Sequence, residues 1–145
     1  LGTALLLVAG ERLRRGGKKL EALSWFDAII VGLFQMLALF PGISRSGSTI
    51  TAGLIRGLDR ETAARFSFLL GVPAIAGAGL LALLDVLAAG NFADYWAVYA
   101  ATFVAAAVTG YACIYFLLAW LRSHSLYLFA LYCAVLGLAA LLILS

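Results

Sequence analysis

Residues 40–57, FPGISRSGSTITAGLIRG, interrupt a chain that is apolar on both sides of them. Proline removes a backbone donor and glycine opens φ angles closed to other residues, so Pro41-Gly42 predicts a turn. Ser46 or Ser48 is then expected to cap a new helix. A helix start presents unpaired N–H groups and a partial positive charge, and both favour an anion. Arg45 adds a planar fork of donors suited to phosphate oxygens, with Ser44, Ser46, Ser48 and Thr49 as neighbouring donors. The stretch therefore reads as a phosphate cradle. The plainer alternative is that the hydroxyls bond within membrane helices and Arg45 pairs with a distant carboxylate.

The surrounding sequence sets the medium. Of the 145 residues 65% are hydrophobic and 12% charged, about half the charge of an ordinary soluble domain. A soluble protein of this size could not hide so much apolar surface in one core. Several stretches approach the roughly 20 residues needed to cross a bilayer, which predicts an all-α integral membrane protein. The net charge of +3 does not point to nucleic acid, because the basic residues lie in short loops beside apolar spans. Cys113 and Cys133 lie inside apolar runs without CxxC spacing, as small buried hydrophobes do. No basic region precedes the first apolar run, which argues against a cleaved leader. That run, from Leu1 to Gly10, is half a span, and the sequence does not start with methionine. The expectation is a piece of a longer protein.

Charge bias orders the spans. "ERLRRGGKKLE" (11–21), "RGLDRETAAR" (56–65) and "WLRSHS" (120–125) are basic, whereas "DVLAAGNFADY" (85–95) carries two aspartates and no Lys or Arg. The basic loops are expected on the cytoplasmic side and the acidic one outside. Three spans follow, about 62–87, 93–121 and 126–144, leaving the C-terminus outside, with Tyr95, Trp96, Tyr99, Trp120 and Tyr127 near the boundaries. The segment from Trp25 to Arg56 must then begin and end on the same side. Its two arms, about Asp27 to Phe40 and Ser48 to Gly57, are too short to span, so a re-entrant helical hairpin fits. The expected organisation is an end of a helix and a basic loop (1–24), the hairpin (25–57) and three transmembrane helices (58–145).

Other polar residues read as structural. Asp59 is an N-cap candidate, Arg60, Glu61 and Arg65 belong to a loop and first helical turn, and His124 is expected to be solvated. Gly71, Gly77 and Gly79, with Ala74, Ala76 and Ala78, form a small-residue face for helix packing, and Pro73 should kink that helix.

The motif "PGISRSGSTI" (41–50), preceded by "GLFQMLAL" and followed by "TAGLIRGLDRETAARFSFLLGVP", resembles the second phosphate-site motif of the undecaprenyl-diphosphate phosphatase family, the bacitracin-resistance type. The likeness runs from about Asp27 to Pro73 and continues in the pattern of the later spans. It implies two inverted repeats, each a re-entrant hairpin plus three spans, in the bacterial inner membrane. It also implies hydrolysis of undecaprenyl diphosphate to the monophosphate, recycling the lipid carrier for cell-wall synthesis. In that family the first repeat supplies two glutamates four residues apart and a turn histidine. Here Gln35 and Leu39 stand at the glutamate positions and Ser48 at the histidine position. The chain thus resembles the phosphate-clamping half without the acid–base half, and by itself it is expected to be inactive.

By that resemblance Arg45 and Ser44 are catalytic, holding and orienting the diphosphate. Gly42, Ser46, Gly47, Ser48, Thr49 and Gln35 line the phosphate site, and a Mg²⁺ or Ca²⁺ ion is implied. The expected partners are a prenyl diphosphate lipid, membrane lipids, the missing N-terminal repeat and a second copy in a homodimer. A transporter or flippase of an anionic lipid phosphate, using the same re-entrant arginine, is the competing reading. Paired glutamates in the adjoining sequence would separate the two.

Overall fold

A computed structural model describes residues 1–90 and 92–144; Asn91, within the acidic 85–95 stretch of the sequence, and Ser145 lie outside the described residues. The described chain is helical: α1 (Gly2–Leu13), α2 (Trp25–Gln35), α3 (Arg45–Ile55), α4 (Arg60–Ala88), α5 (Phe92–Leu121) and α6 (Tyr127–Leu144). Two helices, α4 and α5, are long and apolar enough to cross a membrane. At 1.5 Å per residue, the 29 residues of α4 reach about 43 Å. α4 continues as one helix across Pro73.

The 40–57 stretch is broken where the Pro-Gly pair predicts. α2 tightens into a 3₁₀ turn, Met36–Leu39, Phe40 is extended, and Gly42 takes a φ of 83°, the left-handed conformation that glycine adopts without steric cost. α3 then begins at Arg45, three residues before the expected Ser48. Its cap is Ser44, neither Ser46 nor Ser48: Ser44 is extended and its Oγ accepts from Gly47 N–H at 3.3 Å. The chain is free to turn into a helix as soon as Gly42 and Ile43 complete the bend, so the first hydroxyl after the bend takes the cap.

α3 is the centre of the molecule. It packs against α1, α2 and α4, and its residues from Gly47 to Leu54 are all buried. A helix enclosed on every side must satisfy its hydroxyls internally. Ser48 Oγ donates to Arg45 O at 2.9 Å, and Thr51 Oγ1 donates across to Leu6 O of α1 at 2.9 Å. α6 packs on α1, and α5 packs chiefly on α4, with Leu117 and Leu121 near its C-terminal end reaching the core that includes Leu7 and Ile50. Beyond Gly71 the side chains of α4 are exposed apart from half-buried Val86, and most of α5 is exposed too. That surface is apolar, including Val72, Ile75, Leu80, Phe103, Val104 and Val108.

Charges gather at one end of this bundle. Asp27, wholly buried, completes a capping box with Ser24 and takes Arg56 Nε at 2.7 Å and Lys18 Nζ at 3.3 Å. Glu11 accepts two bonds from Arg60, at 2.7 and 2.8 Å, and a third from Leu126 N–H. Glu61 pairs with Arg122, and Asp59 caps α4 through Thr62 N–H at 2.7 Å. Asp59, Arg60 and Glu61 are thus structural, as read from sequence. His124 is exposed and stacks on the Trp120 ring, with centroids 3.8 Å apart.

Candidate functional site at the α3 tip

Ser44, Arg45 and Ser46 stand where α3 begins. The first-turn N–H groups of Arg45 and Ser46 have no intrahelical acceptor, while that of Gly47 goes to the Ser44 cap. Ser44 Oγ lies 3.2 Å from Ser46 Oγ, so the two hydroxyls form one polar surface beside those N–H groups. Ser44 is exposed and Ser46 half-buried. Gly42 supplies the bend, and Gly47 allows a close approach: a Cβ there would lie 2.8 Å from Thr3 Cγ2.

The turn is held from α1. Thr3 Oγ1 donates to Gly42 O at 3.1 Å and accepts from Ser44 N–H at 2.8 Å, fixing both ends of the bend through one hydroxyl. Sequence reasoning missed Thr3. Its neighbours are apolar, and nothing local to it distinguishes a clamp from a hydroxyl bonded within its own helix.

Ser48 and Thr49 face away from the tip. Both hydroxyls donate to Arg45 O, and Thr49 Oγ1 also lies 2.6 Å from Ser67 Oγ on α4. They are buried and brace the helix start instead of presenting protons at it. Gln35, half-buried, ends α2 on the other side of the turn, with no hydrogen bond from its side chain among the described residues.

Arg45 is half-buried, and no carboxylate lies within ion-pair distance of it among the described residues. Its guanidinium rests on Gly71 of α4, where an added Cβ would meet Nη2 at 2.6 Å. Gly71 is the twelfth residue of α4, so the guanidinium sits roughly 16 Å from Arg60 along that helix. A polar fork of five donors without an anion, level with the middle part of an apolar helix, is a costly arrangement unless an anion arrives. On the α1 side the tip opens into a cavity of about 270 Å³ lined at the tip by Thr3, Ser44, Ser46 and Gly47, with walls that include Leu7, Ile50, Phe68, Leu117, Phe129 and Tyr132.

The family model for bacitracin resistance protein BacA matches residues 1–139. The chain belongs to this family. It is 48% identical over 133 residues to an undecaprenyl-diphosphatase of Syntrophobacter fumaroxidans, covering 92% of this chain and 47% of the relative. To the undecaprenyl-diphosphatase of Thermomicrobium roseum it is 45% identical over 150 residues, covering 99% and 54%. To that of Methanothermobacter thermautotrophicus it is 49% identical over 141 residues, covering 95% and 77%. The chain spans about half the length of the first two relatives. Within the family the polar turn at 41–49 gains a chemical context: the curated relatives are named for the removal of phosphate from a lipid diphosphate.

Proposed function

We propose that this chain supplies the phosphate clamp of an undecaprenyl-diphosphate phosphatase. The observation that carries the reading is the Arg45 guanidinium, without a carboxylate partner among the described residues, at a helix start whose Ser44 and Ser46 line an apolar cavity. The headgroup is an anion and the tail a hydrocarbon, so substrate and site have the same polarity profile. Arg45 grips phosphate oxygens through its fork and stabilises the charge that develops as the phosphoanhydride bond breaks. The N–H groups of Arg45 and Ser46 and the hydroxyls of Ser44 and Ser46 orient the same phosphate. Ser48, Thr49 and Thr3 hold these donors in place. The cavity wall of Ile50, Phe68 and Leu117 takes the first part of the prenyl chain.

α2, the 3₁₀ turn and α3 fit a hairpin that enters the membrane and returns, because the charged ends of both arms meet at Asp27 and Arg56. α3 is 11 residues long, roughly 16 Å, about half a bilayer core of 30 Å. With the basic loops cytoplasmic, the tip reaches mid-membrane in the bacterial inner membrane and α6 ends on the outer side. One hairpin and three spans constitute one of two inverted repeats.

Among the described residues no carboxylate or histidine forms a hydrogen bond or ion pair with the tip residues that could move a proton there. We therefore assign proton transfer to residues outside this chain, and by itself the chain releases no phosphate. The donors at the tip are hydroxyls, N–H groups and a cation, which do not suit the Mg²⁺ or Ca²⁺ that the family resemblance implies. Among the described residues no group of three or more His, Cys, Asp or Glu gathers to hold a metal.

The direct test is phosphate release from a long-chain prenyl diphosphate by the full gene product. Arg45→Lys should lose most of the activity, because an ammonium cannot supply a planar fork. Retention of wild-type turnover in that variant would remove the clamp.

A further inference from the structure

α3 and α4 meet along two rows of residues spaced four apart, the spacing that puts side chains on one helix face. Row by row, Gly53 faces Ala63, Thr49 faces Ser67 and Arg45 faces Gly71. At the first rung a Cβ on Gly53 would lie 3.0 Å from Ala63 Cβ, so the two backbones approach closely there. At the second the Thr49 and Ser67 hydroxyls lie 2.6 Å apart, and the bond fixes the register. At the third the residue opposite the arginine has no side chain, and the guanidinium fills the space: Nη2, Cζ and Nη1 would lie 2.6, 3.2 and 3.3 Å from a Cβ on Gly71.

The small residues that follow on α4 are different. A Cβ at Gly77 or Gly79 would meet nothing within 4 Å. The glycines of this helix therefore do not share one packing role. Gly71 is buried beneath the arginine, and its neighbours from Val72 to Leu84 are exposed.

We propose that Gly71 is a positioning residue for the phosphate clamp: it is the seat that sets the direction of the Arg45 guanidinium. The inference rests on the phosphatase reading above. An arginine usually acquires its orientation from a carboxylate, but a carboxylate here would compete with the substrate for the fork. A glycine seat confines the guanidinium by shape and leaves all its donors for phosphate. The three atoms nearest to a methyl group at position 71 all belong to the far end of a flexible side chain, so the helices stay packed while the fork is displaced. Misplacement of a clamping group by about 1 Å is enough to cost on the order of tenfold to a hundredfold in turnover.

The experiment compares Gly71→Ala with Gly77→Ala and Gly79→Ala in the full gene product, measuring kcat and KM for phosphate release together with thermal melting. The two control variants carry the same chemical change on the same helix and should behave as wild type. Gly71→Ala should lower kcat by about tenfold or more while melting with the controls. In an Arg45→Lys background the added Gly71→Ala change should cost nothing further, because the slimmer ammonium does not need the seat. The role is overturned if Gly71→Ala is as active as Gly77→Ala, or if its loss multiplies with that of Arg45→Lys. Loss of folded protein that persists in Gly71→Ala/Arg45→Ala also overturns it, since the methyl then meets something other than the guanidinium. A wild-type protein that releases no phosphate overturns the parent reading, and this role with it.

Discussion

The two ends of α3 treat arginine in opposite ways. At its C-terminal end Arg56 binds the buried Asp27, and at the first residue of the next helix Arg60 forms a two-pronged pair with Glu11, which also ties down Leu126 N–H. At its N-terminal end Arg45 rests on a glycine, with no carboxylate within ion-pair distance among the described residues. The difference separates two uses of the same side chain. A guanidinium matched to a carboxylate has its fork occupied and holds helices together. One left open among apolar helices has paid a desolvation cost that only an incoming anion offsets.

That contrast can be broken at either end. The largest effect is expected from Arg45→Ala, which should lower phosphate release in the full gene product by about 10²- to 10³-fold. Because no carboxylate is orphaned, the variant should insert and melt as wild type. A variant that fails to insert would show instead that Arg45 is structural. At the opposite end Asp27→Ala should do the reverse. It strips Arg56 and Lys18 of their counter-ion and removes half of a capping box, at about 2–3 kcal/mol of stability. Activity per folded molecule should be kept, so thermal unfolding and turnover measured on the same sample check both parts.

Glu11→Gln is smaller, about 1–2 kcal/mol, because the amide still accepts one bond while the two-pronged pairing with Arg60 is lost. Glu61→Gln at the exposed Arg122 pair should leave the unfolding curve unchanged within error. The smallest effect is on acidification. Burial pushes the Asp59 carboxyl up, but the Lys19 ammonium and the Thr62 N–H outweigh it and hold the group below its usual 3.8. A carboxyl lowered by folding contributes stability above that value and loses it as the pH falls further. Melting temperatures between pH 6 and 3 should therefore fall less steeply in Asp59→Asn, which keeps a capping side chain.

Much of the local structure was legible in the sequence. The break at Pro41-Gly42, the helices at about 62–87, 93–121 and 126–144 and the Asp59 cap follow from backbone chemistry that each residue carries with it. Ser44, Ser46 and Arg45 were likewise placed correctly at a helix start. The errors have a common physical origin. Choosing Ser46 or Ser48 as the cap required knowing how many residues the bend consumes. That the Ser48 and Thr49 hydroxyls bond inward, to Arg45 O and Ser67, follows from the enclosure of α3, which the sequence does not display. Thr3, Ser67 and Asp27 were overlooked because their partners lie on other helices, far away in sequence.

By itself the sequence determined the medium, the helices and the one place where they are interrupted, because hydropathy, proline and glycine act over a few residues. Only the tertiary structure decided which polar groups are spent on holding the fold and which stay open. It set Arg56 against Asp27 and Arg45 against Gly71, and a guanidinium takes its role from what stands opposite it in space.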